Sequence, residues 1–273
     1  MTINEYITTG LRFEPVADRP FEGVDERVQW LANPESVTIT LAPHSSLKLL
    51  VLCTEPQSCE LNVVLNEGAQ LTMATLFVAD AKVSCHVEAN SSSRLRLTSL
   101  QNGSSSADYT VDLVGVEADS VVNALFALGG EERSRLSVRT NHLVPDCHSS
   151  SEVRGLAGGE SVGSFEGMVY VAPDAQHTEA FQQNRNMLLS PTARIDTKPQ
   201  LEIYADDVMC SHGATVGQMD QEAIYYMRQR GLDDLQARRL QLTGFADDLV
   251  MRCGCDELCG LLLDELNKKL DTI

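Results

Sequence analysis

Between about residue 36 and residue 216 the chain alternates short runs of Val, Leu, Ile and Thr with polar turns. The runs read SVTITL, LKLLVLC, ELNVVL, LTMATLFV, KVSCHVEA, RLRLTSL, YTVDLVGV, VVNALFAL, RLSVRT, GMVYV and LEIYA. Runs of this length bounded by Gly, Asn and Ser clusters are strand signals, so the stretch is predicted to be all-β. The turn clusters Asn66-Glu-Gly-Ala, Asn90-Ser-Ser-Ser, Asn102-Gly-Ser-Ser-Ser and Gly129-Gly-Glu-Glu recur at very roughly two dozen residues, a spacing that hints at coils of a solenoid. A β-sandwich or jelly roll also produces many short strands. Seven phenylalanines and one tryptophan are a lean aromatic complement, and a core of Val, Leu, Ile, Ala and Thr suits the narrow interior of a parallel solenoid.

After Gly217 the period changes. Asp220 is a plausible N-cap, Glu222 adds negative charge to a first turn, and QEAIYYMRQR runs to Gly231, a suitable stop. Asp233 and Asp234 precede LQARRLQLTGFADDLVMR, and Asp256-Glu257 precede a leucine series that ends in Lys268-Lys269, the charge order favoured by the helix macrodipole. The prediction is therefore an N-terminal cap or arm over 1–35, a β core over 36–217 and a small helical segment of about three helices over 218–273. In the first part Trp30, Val28 and Leu31 could cover the open end of a solenoid, whose terminal coil needs a cap; a mobile arm is the other reading.

Composition narrows the function classes. A chain of 273 residues can bury a substantial core. Its formal charge of −18 repels phosphate backbones and anionic lipid, so neither nucleic acid nor a membrane surface is an expected partner. MTINEYITTG has no basic segment followed by an apolar run, and the expected location is cytoplasmic. The eight cysteines are then expected to be reduced. Of these, Cys253, Cys255 and Cys259 invite a metal reading, but paired zinc knuckles are missing and the leucine repeat around them favours small buried thiols on a helix. No phosphate-binding loop, dinucleotide fingerprint, zincin motif or nucleophile elbow occurs, which argues against a nucleotide site or an enzyme.

One stretch carries candidate chemistry: LEIYADDVMCSHGATVG, Leu201 to Gly217. If Val208 to His212 continue the strand of LEIYADDV, period two puts Val208, Cys210 and His212 on one face. The pair could hold a soft metal or an iron–sulfur fragment, or the imidazole could lower the thiol pKa and create a nucleophile. It could equally be an edge cysteine with a histidine hydrogen-bonded to Asp206 or Asp207.

The run Thr178-Glu-Ala-Phe-Gln-Gln-Asn-Arg-Asn-Met-Leu-Leu-Ser, the segment from Ala193 to Val208, Cys210-Ser-His-Gly-Ala-Thr-Val-Gly and Tyr225-Tyr-Met-Arg-Gln-Arg-Gly together resemble the SufB/SufD family of the SUF iron–sulfur cluster assembly system. The Cys-Ser-His-Gly form is closer to the SufD branch. The resemblance implies a right-handed parallel β-helix with a C-terminal helical segment. It also implies pairing with a SufB-like paralogue or a second copy near Tyr204, Asp206 and Val208, and docking of the SufC ATPase on the helical segment. There, Tyr225, Tyr226, Arg228 and Arg230 are the interface-type residues, with one of the two tyrosines expected to pack on the solenoid instead. Cys210 and His212 become candidate ligands for a transient iron–sulfur cluster at the subunit interface. Family members are commonly longer, with an N-terminal helical domain that the segment before Ser36 is too short to supply, and the Cys253, Cys255, Cys259 cluster lies outside the family pattern. The expected function is a non-enzymatic scaffold. A β-helix enzyme acting on polysaccharide and a metal-free homodimeric interaction module are the alternatives.

Overall fold

The computed structural model describes residues 11–13 and 20–273. Sixteen strands form two all-parallel sheets, between which the chain alternates from β2 onward. The nine-stranded sheet A holds β1 (Leu11–Arg12), β2 (Val24–Ala32), β4 (Ser46–Cys53), β6 (Gln70–Phe77), β8 (Arg94–Asn102), β10 (Asp119–Leu128), β12 (His148–Ala157), β14 (Thr178–Leu188) and β16 (Val208–Gln218). The seven-stranded sheet B holds β3 (Ser36–Leu41), β5 (Ser58–Leu65), β7 (Ala81–Ala89), β9 (Ser105–Leu113), β11 (Arg133–His142), β13 (Val162–Val171) and β15 (Arg194–Ile203). Each coil adds one strand to each sheet, so the core is the expected parallel solenoid and not a sandwich of antiparallel sheets.

Register gives the coil length directly. Ser46 pairs with Gln70 and Gln70 with Arg94, steps of 24 residues. Asp119 pairs with His148, a step of 29, and Thr178 with Val208, a step of 30. After a shorter first step of 20 residues from Val28 to Lys48, the early coils match the two-dozen spacing and the later ones are longer. At one corner His44, Gly68, Ser92, Glu117, Asp146 and His177 all have φ between 56° and 65°. This stacked left-handed column is tied from coil to coil by backbone bonds such as Ser92 N–H to Val116 O at 2.9 Å and Asp146 N–H to Gln176 O at 3.0 Å. A left-handed corner turns the chain tightly, and five non-glycine residues accept its steric penalty because the neighbouring coils hold them there.

Two cores follow from the two faces of sheet A. Leu47, Leu49, Val51 and Cys53 point between the sheets, whereas Leu50 and Leu52 point outward into a second cluster with Leu76, Leu125 and Leu156. That outer face is covered by three helices: α1 (Gln221–Gln229), α2 (Asp234–Val250) and α3 (Asp256–Leu270), with a 3₁₀ turn at Met251–Cys253. Burial on both faces is why LKLLVLC and VVNALFAL read as continuous apolar runs. The caps form as expected. Asp220 accepts from the Glu222 and Ala223 amides, Asp233 and Gln236 close a capping box, and Gly231 has φ +101°.

The helical layer is also pinned by charge. Arg154, almost wholly buried, donates to Glu152, to Asp248 of α2 and to the Phe245 carbonyl, and Lys269 of α3 reaches Glu132 at 2.6 Å. The first coil begins before Ser36, because β2 is part of sheet A. Trp30 and Val28 do not cap the solenoid end; they face the helical layer, while Leu31 faces the interior. The remainder of the arm, with Pro15, lies outside the described residues.

Phe126 fills the interior where two glycines face it. A Cβ on Gly155 would lie 2.3 Å from its ring, and one on Gly163 2.5 Å. Gly155→Ala is expected to lower stability by about 1–3 kcal/mol through overpacking. Phe126→Leu in the same chain should recover part of that loss, read as non-additivity of the two melting shifts in thermal denaturation.

Candidate functional site

The solenoid ends abruptly. Among the described residues β16 pairs only with β14 and β15 only with β13, so both sheets present an open outer edge on the last coil. Pro199 stands in β15, a position tolerated because an edge strand leaves backbone donors unused. LEIYADDV does not continue through Cys210 as one strand. It turns from sheet B to sheet A at Tyr204–Asp207, and β16 begins at Val208. Alternation within β16 still sets Val208, Cys210 and His212 on one face, for a reason only the register shows: they pair with Thr178, Ala180 and Gln182, whose side chains point between the sheets.

Val208 and Cys210 pack against a small cluster of Val169, Val171, Ala175, Ala180 and Ala205. Cys210 is half-buried, and this burial pushes its thiol up from the ordinary value, with a hydrogen bond from the Ala180 backbone offsetting part of the effect. An imidazole activating the thiol would move it down, opposite to the direction that burial gives here. His212 is exposed and lines an open depression with Ser151, Phe181, Gln182 and Ser211. It makes no hydrogen bond to Asp206 or Asp207. The imidazole that Asp207 does meet is that of His177, at 3.4 Å, which also contacts Asp146 at 3.0 Å within the corner column.

Gln182, one coil beneath His212, was not singled out in the sequence. It is buried, and neither side-chain amide atom has a partner among the described residues. Its neighbours Asn184 and Asn186 form a closed set, with Thr197 Oγ1 donating to Asn184 Oδ1 at 2.7 Å and Asn186 Nδ2 to the Thr215 carbonyl at 3.1 Å. The signal was present in QQNRN, Gln182 to Asn186, as polar side chains at alternate, inward positions.

The proposed interface residues spread over the same end. Tyr204 is exposed and lies tilted against Tyr170 with ring centroids 5.8 Å apart, Asp206 is exposed, and Val208 is half-buried. On α1 neither tyrosine packs on the solenoid: Tyr225 is 64% and Tyr226 59% exposed. The expectation that one would be buried fails because the apolar side of this short helix is supplied by Ile224 and Met227. Arg230 lies over the Tyr226 ring at 5.2 Å, and Arg228 pairs with Asp234 at 3.6 Å. Far from this end, Cys253 and Cys259 are joined in a disulfide, Cα atoms 6.0 Å apart, which corrects the expectation that all thiols are reduced. Among the described residues no group of three or more His, Cys, Asp or Glu side chains is placed to hold a metal.

These features define a β-helix protein covered by helices on one face and open at its last coil, where a thiol and an imidazole share an inner edge. The family model described as SUF system FeS cluster assembly, SufBD core domain, matches residues 25–245, and the chain belongs to this SufB/SufD family, with SufD-like character. The iron–sulfur cluster assembly protein SufD of Escherichia coli is 43% identical over 103 residues, 38% of this chain and 24% of that protein. A SufBD family iron–sulfur cluster assembly protein of Synechocystis is 32% identical over 201 residues, covering 72% and 42%. SufD of Bacillus subtilis is 23% identical over 248 residues, covering 86% and 57%. The chain therefore matches little more than half the length of these relatives, or less. No helix among the described residues is long and apolar enough to cross a membrane.

Because burial disfavours the thiolate, peptide-mapped iodoacetamide labelling of Cys210 is expected to be slow at neutral pH. It should rise only above the ordinary thiol value of 9.0. A labelling midpoint below that value would show an activating neighbour instead.

Proposed function

We propose that the chain is a non-enzymatic, SufD-like assembly subunit of the SUF system, acting in the cytoplasm, for which the iron–sulfur cluster is transient cargo. The observation that carries this reading is the position of Cys210 and His212 on the inward face of the terminal strand, whose outer edge is open. A soft thiolate and a borderline imidazole suit iron, and two donors from one chain leave the remaining positions to a partner or to the cargo itself. The partner is a SufB-like paralogue or a second copy. It would meet the open edges of β15 and β16, whose unpaired backbone groups can accept another chain's strand, beside Tyr204, Asp206 and Val208. Nucleotide hydrolysis falls to a SufC-type ATPase docked on α1 through Tyr225, Tyr226, Arg228 and Arg230. Exposed Tyr and Arg are the side chains that most often anchor interfaces.

Two experiments test the two halves. Cys210→Ala and His212→Ala should each abolish or weaken cluster assembly in anaerobic reconstitution with the SufB-like partner and the ATPase. Both should leave the melting temperature nearly unchanged, since both side chains sit at the rim. If both variants support full assembly, the ligand reading is wrong. For the ATPase, deleting everything after Gly217 would uncover the apolar face of sheet A, so point changes are the cleaner probe. Tyr225→Ala with Tyr226→Ala should weaken capture of the ATPase by about tenfold or more. Unchanged capture in a pull-down would move the docking site elsewhere.

A further inference from the structure

The cysteine trio at the α2–α3 corner takes no part in the proposed function, and its arrangement has a chemistry of its own. The chain leaves α2 through the 3₁₀ turn, passes Gly254 at φ +80°, and enters α3 at Cys255, the N-cap residue in extended conformation. Cys253 and Cys259 are bonded and buried, at 1% and 9% exposure. Cys255 is free and only half-buried, and it packs against the same apolar cluster as the bonded pair. It lies one helical turn before Cys259, whose amide donates to the Cys255 carbonyl at 2.9 Å, and the Cys253 sulfur is 3.1 Å from that carbonyl oxygen. The corner is seated on sheet A, where Arg96 donates to the Arg252 carbonyl and leaves no room for a Cβ on Gly254.

We propose that this trio is a thiol–disulfide exchange site for a small thiol or its disulfide, with Cys255 as the entry port to a bond that solvent does not reach directly. In the opening direction Cys255 loses its proton to solvent and its thiolate attacks the Cys259 sulfur. The Cys255–Cys259 bond forms, the Cys253–Cys259 bond breaks, and Cys253 departs as a thiolate that takes up a proton. An external thiol then attacks the accessible Cys255 sulfur, expelling Cys259 and leaving a mixed disulfide that a second thiol resolves. The balance is one protein disulfide and two small thiols giving two protein thiols and one small disulfide, a two-electron exchange. Closure runs in reverse with glutathione disulfide. The exchange couples the ambient thiol balance to the corner that seats α2 and α3 on sheet A.

The test uses the whole chain. The oxidised protein is treated with glutathione, quenched with acid and iodoacetamide at intervals, and read by peptide mass mapping. The expected result is a transient glutathione adduct at Cys255, and opening of the Cys253–Cys259 bond slowed about tenfold or more in Cys255→Ser, because an internal attack is replaced by an external one on buried sulfurs. Glutathione disulfide added to the reduced protein should restore the same bond. Equal opening rates in the wild type and Cys255→Ser, an adduct first seen at Cys253 or Cys259, or failure of the bond to re-form would each overturn the proposal. The adduct map of the wild-type chain decides the matter even if the variant folds poorly.

Discussion

Everything in this molecule depends on coil-to-coil stacking. A parallel strand satisfies its backbone groups only through the coils before and after it, so paired residues of successive coils lie 18 to 32 positions apart in sequence. The consequence at the end of the stack is unavoidable. The last coil has no successor, and β15 and β16 leave a row of backbone donors and acceptors without partners, a feature that soluble proteins normally cover, charge or use. Pro199 and the exposed charged side chains of β15 blunt one edge; β16, with Met209, Cys210 and Val216, is left comparatively apolar. The candidate ligands stand on the less protected of the two.

Stacking also governs what the interior can be. In the early coils the inward columns are Leu, Val and Cys, and the thiols among them are inert: burial pushes Cys53 and Cys85 up to about 12. Toward the open end the columns become polar, through Ser149, Ser151, Gln182, Asn184 and Asn186. His142, buried with its ring against Ser149, is pushed down to about 4 by burial and stays neutral at physiological pH. The longer late coils accommodate this polar interior, in which the bonds of Asn184, Asn186 and Thr197 fix side-chain orientation. A rim built over such a floor can hold an imidazole in a polar setting beside a thiol in an apolar one.

The helical layer resolves a second requirement of the same stack. Sheet A has apolar residues on both faces, so without cover its outer face would be an exposed apolar patch of the sort that drives association. α2 and α3 bury it, and Arg154, Arg252 and Lys269 fix them through Glu152, Asp248 and Glu132. Breaking one partner of the buried Arg154 set would leave an uncompensated charge, which is why the network specifies where the helices sit more than it adds to stability. α1, shorter and capped by Asp220, is left projecting with both tyrosines outward.

Local chemistry in the sequence was enough to determine the strands, the capped helices, the solenoid character and the alternation that puts Cys210 and His212 on one face. Each of these is encoded within a few neighbouring residues, by a period of two, a period of 3.6 or a turn residue, and the run from Thr178 to Gly231 carried the family resemblance. Tertiary structure alone decided the corner that splits LEIYADDV between sheets, the placement of Gln182 beneath His212, the facing of Trp30 toward the helices and the outward turn of both tyrosines on α1. It also decided that Cys253 meets Cys259. These depend on which residues stack across a coil and on which face the helices come to cover. Coil length varies from 20 to 32 residues, so the partner of a given side chain is set by the summed lengths of intervening turns, a quantity that no short window of sequence contains.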